Sequence, residues 1–540
     1  MSTTTTSLAR HSAVMAAGSF VSRILGVVRQ SMIVTIFGTS LAGQAWSVAN
    51  TLPNTIYLLL AGGVLNAVLV PQITKAYADH DGGRAFVDRL LTLALLGIGV
   101  VTLVCIPAAP LLVRLFAADN WDQGTFELAV AFAYVCLPAI FFYGLFTVLG
   151  QVLNAQERFA AFTWAPVLCN VVWIVGLGWF LAQYGHDPRA PGAFTPSMIL
   201  LLGGSLTVGV AIQALILLIP LYRTGFRYRP RFGFRGVGLG SASRVAMWTF
   251  AALAVSQVGL VVQSKVLTST GTATGKLLYD SAFLLFMTPH GLITVSLVTA
   301  LFTSMSRAAA RKDGEAFRGD VRRGLSLTGI ATIPIMVGTL ILGTSLAALL
   351  FPRNTIETTN SIGHVMAAMM LGLPAFGFYY VAQRAFFAFE DAKTPFYLQL
   401  VNTGVAAAVA VAAMLLPVDY RAVGVGLGQA LSNVVGAVIA LVWLGRRVDG
   451  LQMAASVRTL VRVTVASLIA AAPTFLVFFA AQQLLRGRAT AIVALLIGVP
   501  VFVVVYVTLV RRMKVTQIDE ILDPLMRRLR GVRSRGGSSA

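Results

Sequence analysis

The chain has 540 residues, of which 57% are hydrophobic and only 11% are charged, and its formal net charge is +21. This composition excludes a soluble globular domain and is typical of an integral membrane protein. The positive excess therefore indicates loops that face anionic lipid rather than a nucleic-acid partner. Three cysteines, Cys105, Cys136 and Cys169, lie in apolar runs without the spacing of a disulfide framework or a metal site.

Hydropathy predicts fourteen transmembrane helices with no soluble domain inserted between them, so the predicted fold class is all-α. In chain order the predicted spans cover residues 13–37, 45–71, 88–112, 127–153, 160–183, 197–221, 241–268, 277–305, 322–350, 362–388, 395–416, 421–444, 458–484 and 489–510.

The first span carries two arginines, Arg23 and Arg29, well inside its apolar sequence. An arginine near the bilayer centre costs about 2.5–3.5 kcal/mol, so two in one helix indicate a functional site. They lie about 120° apart around the helix axis and about 9 Å apart along it, and Gly26 between them leaves room for a ligand. The alternatives are that the arginines snorkel or pair with an internal acid. Because acids are scarce in the other spans, we expect a water-filled, cationic cavity that binds an anion.

The distribution of positive residues predicts the orientation. With the N-terminus in the cytoplasm, thirty of the 41 lysines and arginines fall in cytoplasmic segments, seven in outer loops and four inside spans. We therefore expect both termini on the cytoplasmic side of a bacterial cytoplasmic membrane. The last segment, 511–540, is basic, and its apolar residues follow one helix face, which predicts an interfacial helix on the inner leaflet.

The two halves of the chain resemble each other at an offset of 236 residues. Residues 137–139 and 373–375 both read Leu-Pro-Ala, and the same offset relates Arg29 to Lys265. The matched positions are six spans apart, which indicates a parallel repeat about an axis normal to the membrane. It predicts two pseudo-symmetric six-helix lobes around a central cavity, with Lys265 opposite Arg29.

These observations predict the domain organisation. The predicted segments are a cytoplasmic tail (1–12), an N-lobe of spans 1–6 (13–221), a basic linker (222–240), a C-lobe of spans 7–12 (241–444), two extra spans (458–510) and the basic tail (511–540).

Prolines and glycines in spans 1, 2 and 8 mark places where helices could bend. The predicted hinge or gating residues are Gly26, Pro53, Gly62, Gly63, Pro289 and Gly291. The alternative for each of them is a simple packing kink. Asn50 and Asn54 bracket Pro53, and their amides could bind a polar head group or hydrogen-bond across helices.

The sequence contains no catalytic motif. Its five histidines are scattered, and it has no phosphate-binding loop, zinc-binding pair or nucleophile elbow. We expect a transporter rather than an enzyme, without a metal or cofactor; coupling to the membrane potential or to an ion stays open.

Several short motifs occur along the chain in this order: Ser22-Arg23-Ile24-Leu25-Gly26, Arg29, Leu52-Pro53-Asn54, Gly63, Val70-Pro71, Leu153-Asn154, Arg158-Phe159, Ala165-Pro166, Asn170 and Asp391-Ala392-Lys393-Thr394-Pro395. Together they resemble the MurJ/MviN family over residues 12 to 515.

This resemblance implies a bacterial flippase for lipid II, the undecaprenyl-pyrophosphate-linked peptidoglycan precursor. It also implies the two-lobed, alternating-access fold of the multidrug/oligosaccharidyl-lipid/polysaccharide exporter superfamily. The family's first-helix residues carry over to Ser22, Arg23 and Arg29, and its second-helix asparagine carries over to Asn54. Together with Asn50 and Lys265, these residues are the predicted substrate-binding set.

The chain departs from the family pattern at several charged positions. Tyr57 replaces an arginine of the second helix, Gln30, Gln44 and Gly62 replace acids, and Leu284 replaces an arginine of span 8. The pattern looks like that of an actinobacterial branch.

Three functions compete. The first is a lipid-linked precursor flippase with lipid II and membrane lipid as partners, together with proteins of cell-wall synthesis or division, and without nucleic acid. The second is a cation-coupled drug or small-molecule antiporter, which needs intramembrane acids; the only acid near a span core is Asp280. The third is a transport-inactive paralogue that serves as a scaffold for cell-wall assembly.

Overall fold

The structure is a computed structural model that describes residues 2–60, 83–156, 158–185, 190–232, 244–271 and 275–520. Within these ranges the regular elements are all helices. The α-helices are α1 (Ser2–Phe37), α2 (Leu41–Leu60), α3 (Gly83–Cys105), α4 (Ala109–Phe116), α5 (Gln123–Cys136), α6 (Ala139–Ala155), α7 (Phe159–Tyr184), α8 (Pro196–Leu215), α9 (Leu218–Arg223), α10 (Arg244–Thr268), α11 (Lys276–Pro289), α12 (Val295–Ala310), α13 (Gly314–Leu350), α14 (Ile356–Met370), α15 (Leu373–Ala388), α16 (Lys393–Ala412), α17 (Arg421–Arg447), α18 (Ala454–Leu484) and α19 (Arg488–Arg512).

The helix lengths confirm the all-α membrane fold. In the described residues, twelve helical segments are long and apolar enough to cross a bilayer, and the bent pair α14–α15 adds a thirteenth. Helix α2 covers the first part of predicted span 45–71, whose remainder lies outside the described residues together with Gly62 and Gly63. The predicted count of fourteen is therefore approximate.

Helix breaks occur at the proline motifs of the predicted repeat. Helices α5 and α6 are separated at Leu137-Pro138, and α14 and α15 bend by 45° just before Leu373-Pro374. Helix α11 ends at Pro289, and a π-helical turn, His290–Thr294, connects it to α12. A proline removes a backbone donor and clashes with the preceding turn, which explains the irregularity. Pro53, in contrast, stays inside α2.

The chain forms two compact units. The first comprises Met1–Ser281, Leu350–Thr358 and Ala392–Val425. In this unit α1 packs on α7, α2 packs on α5, and α10 packs on α16 and also contacts α2 and α4. Because the unit includes α10 and α16, it does not follow the predicted lobe boundaries, which stay a prediction.

The second unit comprises Ala282–Leu349, Thr359–Asp391 and Gly426–Ala540. In this unit α18 packs on α19, and α12 packs on α15. Ile518, near the end of the described chain, is buried against the α13 and α19 side chains of this core. The rest of the predicted interfacial helix lies outside the described residues.

An aromatic cluster in the first unit anchors the C-terminal end of α1. Phe37 and Trp46 are fully buried and stack with ring centroids 5.7 Å apart. Phe132 of α5 meets Phe37 at 6.2 Å and Trp46 at 5.2 Å, edge to face in both cases. Such pairs add about 0.5–1.5 kcal/mol each beyond their area burial. They fix α1 against α2 and α5, two turns beyond Arg29.

Candidate functional site

Arg29 of α1 is held by two side chains of α7. Its Nη1 donates a hydrogen bond of 2.8 Å to Oδ1 of Asn170, and its guanidinium carbon lies 4.0 Å from the ring centroid of Trp173. A cation over a desolvated indole is stabilised by about 2 kcal/mol. No carboxylate in the described part of the chain pairs with Arg29, and its Nε has no hydrogen-bond partner there. The arginine therefore keeps its net charge and a free donor.

Asn170 positions two residues of α1 at once. Its Nδ2 donates to the backbone oxygen of Ser22 at 3.0 Å and to the Ser22 hydroxyl at 3.2 Å, while its Oδ1 accepts from Arg29. Ser22 and Arg29 are seven residues apart and share one helix face. Sequence reasoning included Asn170 only as part of a family motif. The signal for its role was a lone amide in the middle of an apolar span.

Open space lies beside α1 between Ser22 and Arg29. Gly26 is buried, yet a Cβ atom added to it would meet no heavy atom within 4 Å. Arg23 is half-buried and has no hydrogen-bond or ion-pair partner among the described residues. The structure thus brings together Ser22, Gly26 and Arg29 on one face of α1 and adds a second, unneutralised arginine beside them.

Helix α2 presents a polar stripe. Ser47, Asn50, Thr51 and Asn54 follow the i, i+3, i+4, i+7 spacing of one helix face. Asn50 is half-buried and Asn54 is exposed, and neither amide has a hydrogen-bond partner in the described ranges. Both predicted asparagines are therefore free to bind a polar group.

The other half of this stripe contacts the start of α11. Lys276, 3% exposed, donates to Asp280 at 2.8 Å and to the Thr51 hydroxyl at 3.1 Å, and Ser47 also hydrogen-bonds Asp280. The predicted span begins at residue 277, so Lys276 falls outside it and sequence reasoning missed this pair. The available signal was the i, i+4 spacing of a lysine and an aspartate.

Two glutamines that replace family acids take part in neighbouring contacts. Gln30 donates to Ser281 at 2.9 Å, and Gln44 donates to Thr270 at 3.3 Å and to the Gly271 carbonyl. An amide can donate these bonds without carrying charge. The replacements therefore keep hydrogen-bonding groups at these positions and leave no extra acid near the α1 arginines.

Lys265 has a carboxylate partner that the sequence did not predict. It forms an ion pair of 3.0 Å with Asp119, in the loop between α4 and α5. Trp121 of the same loop donates to the Thr268 carbonyl at 2.9 Å, and Ser264 donates to the Phe116 carbonyl at 2.9 Å. We call these three contacts the α4–α10 contact. Its ion pair places Lys265 beside an exposed carboxylate, and no direct contact with Arg29 is found among the described residues. A substrate-binding role for Lys265 therefore stays a prediction without a contact in its support.

Tyr57 stands at the second-helix position where the family pattern has an arginine, and its contacts show what it does there. Its ring stacks on Tyr143 with centroids 5.4 Å apart, and its hydroxyl pairs with that of Thr147. The side chain therefore packs against α6 instead of adding a charge to the site.

The remaining predicted residues stay predictions. Pro289 and Gly291 coincide with the irregular segment between α11 and α12, Pro53 lies within a continuous helix, and Gly62 and Gly63 lie outside the described residues. Within the described ranges, no group of three or more His, Cys, Asp or Glu side chains could hold a metal ion.

Comparison with known proteins identifies the family. A family model described as "Lipid II flippase MurJ" matches residues 33–495. A "Probable lipid II flippase MurJ" of Rhizobium meliloti is 26% identical over 453 residues, covering 81% of each chain. The "Lipid II flippase MurJ" of Burkholderia cenocepacia is 27% identical over 386 residues, covering 70% of this chain and 72% of the relative.

Solved structures show the same fold. "Lipid II flippase MurJ, inward closed conformation" superposes with a TM-score of 0.74 at 20% identity, covering 93% of this chain and 99% of that one. A multidrug resistance MATE family transporter of the MOP superfamily, in an inward-facing conformation, superposes with a TM-score of 0.67 at 16% identity, covering 80% of this chain and 96% of that one. Since the family model spans most of the sequence, this chain belongs to the MurJ family.

Proposed function

We propose that this protein is a flippase that moves lipid II from the inner to the outer leaflet of a bacterial cytoplasmic membrane by alternating access. The observation that carries the proposal is a pair of first-helix arginines, Arg23 and Arg29, without a carboxylate partner in the described part of a MurJ-family chain. A pyrophosphate in a low-dielectric site needs both positive charge and hydrogen-bond donors. Arginine supplies the two together, because its planar fork matches phosphate oxygens.

The proposed head-group site is preorganised. Asn170 and Trp173 hold the Arg29 guanidinium, so its orientation is set before a ligand arrives. The Ser22 hydroxyl and the Arg23 guanidinium add donors on the same helix. The free amides of Asn50 and Asn54 suit the polar sugar and peptide groups of the precursor. Lys265 is left out of this set, since it pairs with Asp119.

The polyprenyl tail is proposed to lie beside the two extra spans. The second unit has an apolar cavity of 420 Å³ there, between α13 and α19, and its lining includes Ile330, Pro334, Val499 and Phe502. The volume falls in the range of roughly 300–1,000 Å³ that is usual for ligand sites. A lining with so few polar groups suits a hydrocarbon chain that stays in contact with the bilayer.

The proposed orientation has both termini in the cytoplasm, as the distribution of lysine and arginine indicates. A cationic site can be returned across the membrane by the potential, since each charge moved through 100 mV is worth about 2.3 kcal/mol. A coupled ion would serve the same purpose, and proteins of cell-wall synthesis or division would be the natural partners.

A cation-coupled antiporter is the second candidate, and the structure weakens the argument for it. Such a transporter needs a free intramembrane acid. Asp280, the acid that sequence reasoning singled out, forms an ion pair with the buried Lys276. The third candidate is a transport-inactive scaffold. Such a protein would have no use for a half-buried arginine without a counter-ion, so the scaffold does not account for Arg23 and Arg29.

Depletion of the protein in its host tests the proposal. We expect a lipid-linked peptidoglycan precursor to accumulate on the inner leaflet and the parent gene to restore its transport. An unchanged leaflet distribution after depletion would favour the scaffold, whereas accumulation of a different polyprenyl-linked glycan would change the substrate.

A further inference from the structure

Two cavities flank the short helix α9 on the surface of the first unit. One, of 440 Å³, lies against α7 and is lined by Arg158, Trp164, Leu168, Ile219 and Arg223 among others. The other, of 650 Å³, lies against α3 and α6, and Leu149, Leu218, Phe226 and Arg227 are among its lining residues. Ile219 and Arg223 line both cavities. The two cavities therefore form one pair of grooves on either side of α9, which we call the α9 grooves.

The α9 grooves are separate from the proposed head-group site. Ser22, Arg23 and Arg29 line neither cavity. The apolar side chains of the grooves are open to the surroundings: Leu168 is 39% exposed and Ile219 is 49% exposed. In a membrane-spanning chain such side chains face lipid, so the grooves open towards the acyl chains.

The polar end of the grooves is cationic. Arg158, immediately before α7, and Arg223, the last residue of α9, are both exposed, and neither pairs with an acid among the described residues. Arg227 lines the larger cavity together with Arg223, and its guanidinium carbon lies 5.9 Å from the ring centroid of Tyr222. Trp164 donates its indole N–H to the Val14 carbonyl at 3.2 Å and keeps 39% of its surface exposed. Tryptophan with arginine at the end of a span is typical of the boundary between acyl chains and head groups.

We propose that the α9 grooves bind an anionic glycerophospholipid, with its phosphate between Arg158 and Arg223 and its acyl chains on the two sides of α9. The charge argues for this occupant over a zwitterionic lipid, because neither arginine forms an ion pair with a carboxylate of the described residues and basic pockets between spans bind anionic head groups. The pair of apolar grooves argues for two acyl chains. In the orientation proposed above, the bound lipid would belong to the inner leaflet. The binding itself does not depend on that orientation.

Lipid retention by the purified full-length protein tests the site. Native mass spectrometry would follow titration with phosphatidylglycerol, phosphatidylcholine or glycerol 3-phosphate. We expect phosphatidylglycerol to bind the parent protein, and the Arg158→Gln/Arg223→Gln variant to bind it roughly 25-fold more weakly. That change corresponds to about 1 kcal/mol for each arginine, converted at about 1.4 kcal/mol per tenfold.

A matched control removes the same charge elsewhere. Arg229 and Arg231 are exposed residues of the same basic segment, and neither lines the grooves. The Arg229→Gln/Arg231→Gln variant is expected to bind phosphatidylglycerol within about twofold of the parent. Equal losses in the two double variants would overturn the proposal, because they would reduce it to net charge.

A further variant tests the grooves without changing charge. Ile219→Trp fills space in both cavities at an exposed position, so folding should be retained, and we expect it to weaken phosphatidylglycerol binding at least tenfold. Parent-level binding by this variant would contradict the placement of the acyl chains. Binding of glycerol 3-phosphate as tight as that of phosphatidylglycerol would show a free-phosphate site instead, and equal binding of phosphatidylcholine would remove the role of the arginines.

Discussion

The charged side chain of Arg29 lies inside a membrane helix and is held by two neutral partners. Asn170 accepts one of its hydrogen bonds and Trp173 contacts its face, while no acid cancels its charge in the described residues. A carboxylate partner would have stabilised the helix more simply, but it would have removed the electrostatic attraction for an anion. The observed arrangement holds the side chain in place and keeps its charge available.

Substitution of Arg29 should separate charge from geometry. A lysine keeps the charge but loses the planar fork and most of the contact with Trp173. We expect Arg29→Ala and Arg29→Lys each to reduce lipid II flipping at least tenfold, whereas Arg23→Lys should retain part of the activity. Flipping in reconstituted vesicles measures this, with expression level and thermal midpoint as controls. Transport by Arg29→Ala at the parent rate would refute a role for this charge.

Asn170 offers a sharper test of the charge. Asn170→Asp preserves side-chain size and the acceptor for Arg29 and places a carboxylate 2.8 Å from its Nη1 position, but it also replaces the Nδ2 donor to Ser22 with an oxygen. We expect flipping to fall at least tenfold because the net charge of the site is cancelled, whereas the new ion pair should offset much of the stability lost with the Ser22 hydrogen bonds. Asn170→Ala is the comparison: it should lower activity less and stability more. If Asn170→Asp transports normally, the electrostatic account of the site is wrong.

At the scale of elements, glycines serve two different purposes. In α14, a Cβ on Gly363 would lie 2.7 Å from the Cα of Thr344 in α13, so this glycine lets two helices pack closely. A Cβ on Gly26 in α1 would meet no atom within 4 Å. Close packing therefore accounts for Gly363, whereas Gly26 borders open space beside the arginines.

Alanine substitutions should separate these two purposes. Gly363→Ala is expected to destabilise the protein by about 1–3 kcal/mol, as overpacking does. Gly26→Ala should leave stability unchanged or raise it by up to about 1 kcal/mol, because alanine favours the helix, yet it should slow flipping by filling the space beside Arg29. Thermal unfolding in detergent and a flipping assay measure the two effects, with the exposed helical Gly404, which has no close neighbour, as the control site. A stability loss in Gly26→Ala without slower transport would assign Gly26 to packing.

At the scale of the whole molecule, alternating access requires some contacts to break in each cycle. The α4–α10 contact joins the loop after α4 to the end of α10 through one ion pair and two hydrogen bonds. Lys265 is 37% exposed and Asp119 is 86% exposed, so solvent screens their pairing and it is worth little. The ion pair of this contact can therefore open and close at small cost, whereas the Ser264 and Thr268 hydrogen bonds lie among buried side chains.

Crosslinking across the α4–α10 contact should therefore stop transport. We predict that Asp119→Cys/Lys265→Cys, joined by a short cleavable dithiol crosslinker, loses flipping and regains it after reduction. The uncrosslinked double variant should flip at the parent rate, since the screened ion pair contributes little. Unimpaired flipping by the crosslinked protein would exclude opening at this place.

The membrane class, most spans and the presence of two costly arginines, Arg23 and Arg29, in the first of them could be read from the sequence alone, while the binding role of the two arginines stays a prediction. These properties depend on the cost of placing each residue in hydrocarbon, which adds up locally along the chain and needs no knowledge of its neighbours. The sequence predicts bends in spans 1, 2 and 8 and continuous spans over residues 127–153 and 362–388, so the breaks at Leu137-Pro138 and before Leu373-Pro374 were not predicted. Proline acts on its own turn, but whether the helix breaks there depends on its packing, since Pro53 stays inside α2.

The partners of the charged residues were decided only by the tertiary structure. Arg29 and Asn170 are 141 residues apart, and Lys265 and Asp119 are 146 apart, so helix packing alone brings them together. The repeat predicted Lys265 opposite Arg29. Internal similarity relates equivalent positions and not contacts, so it gave no indication that Asp119 is the partner of Lys265. Lys276 became a buried member of an ion pair and Tyr57 a packing residue for the same reason: a side chain's role depends on which helix lies beside it.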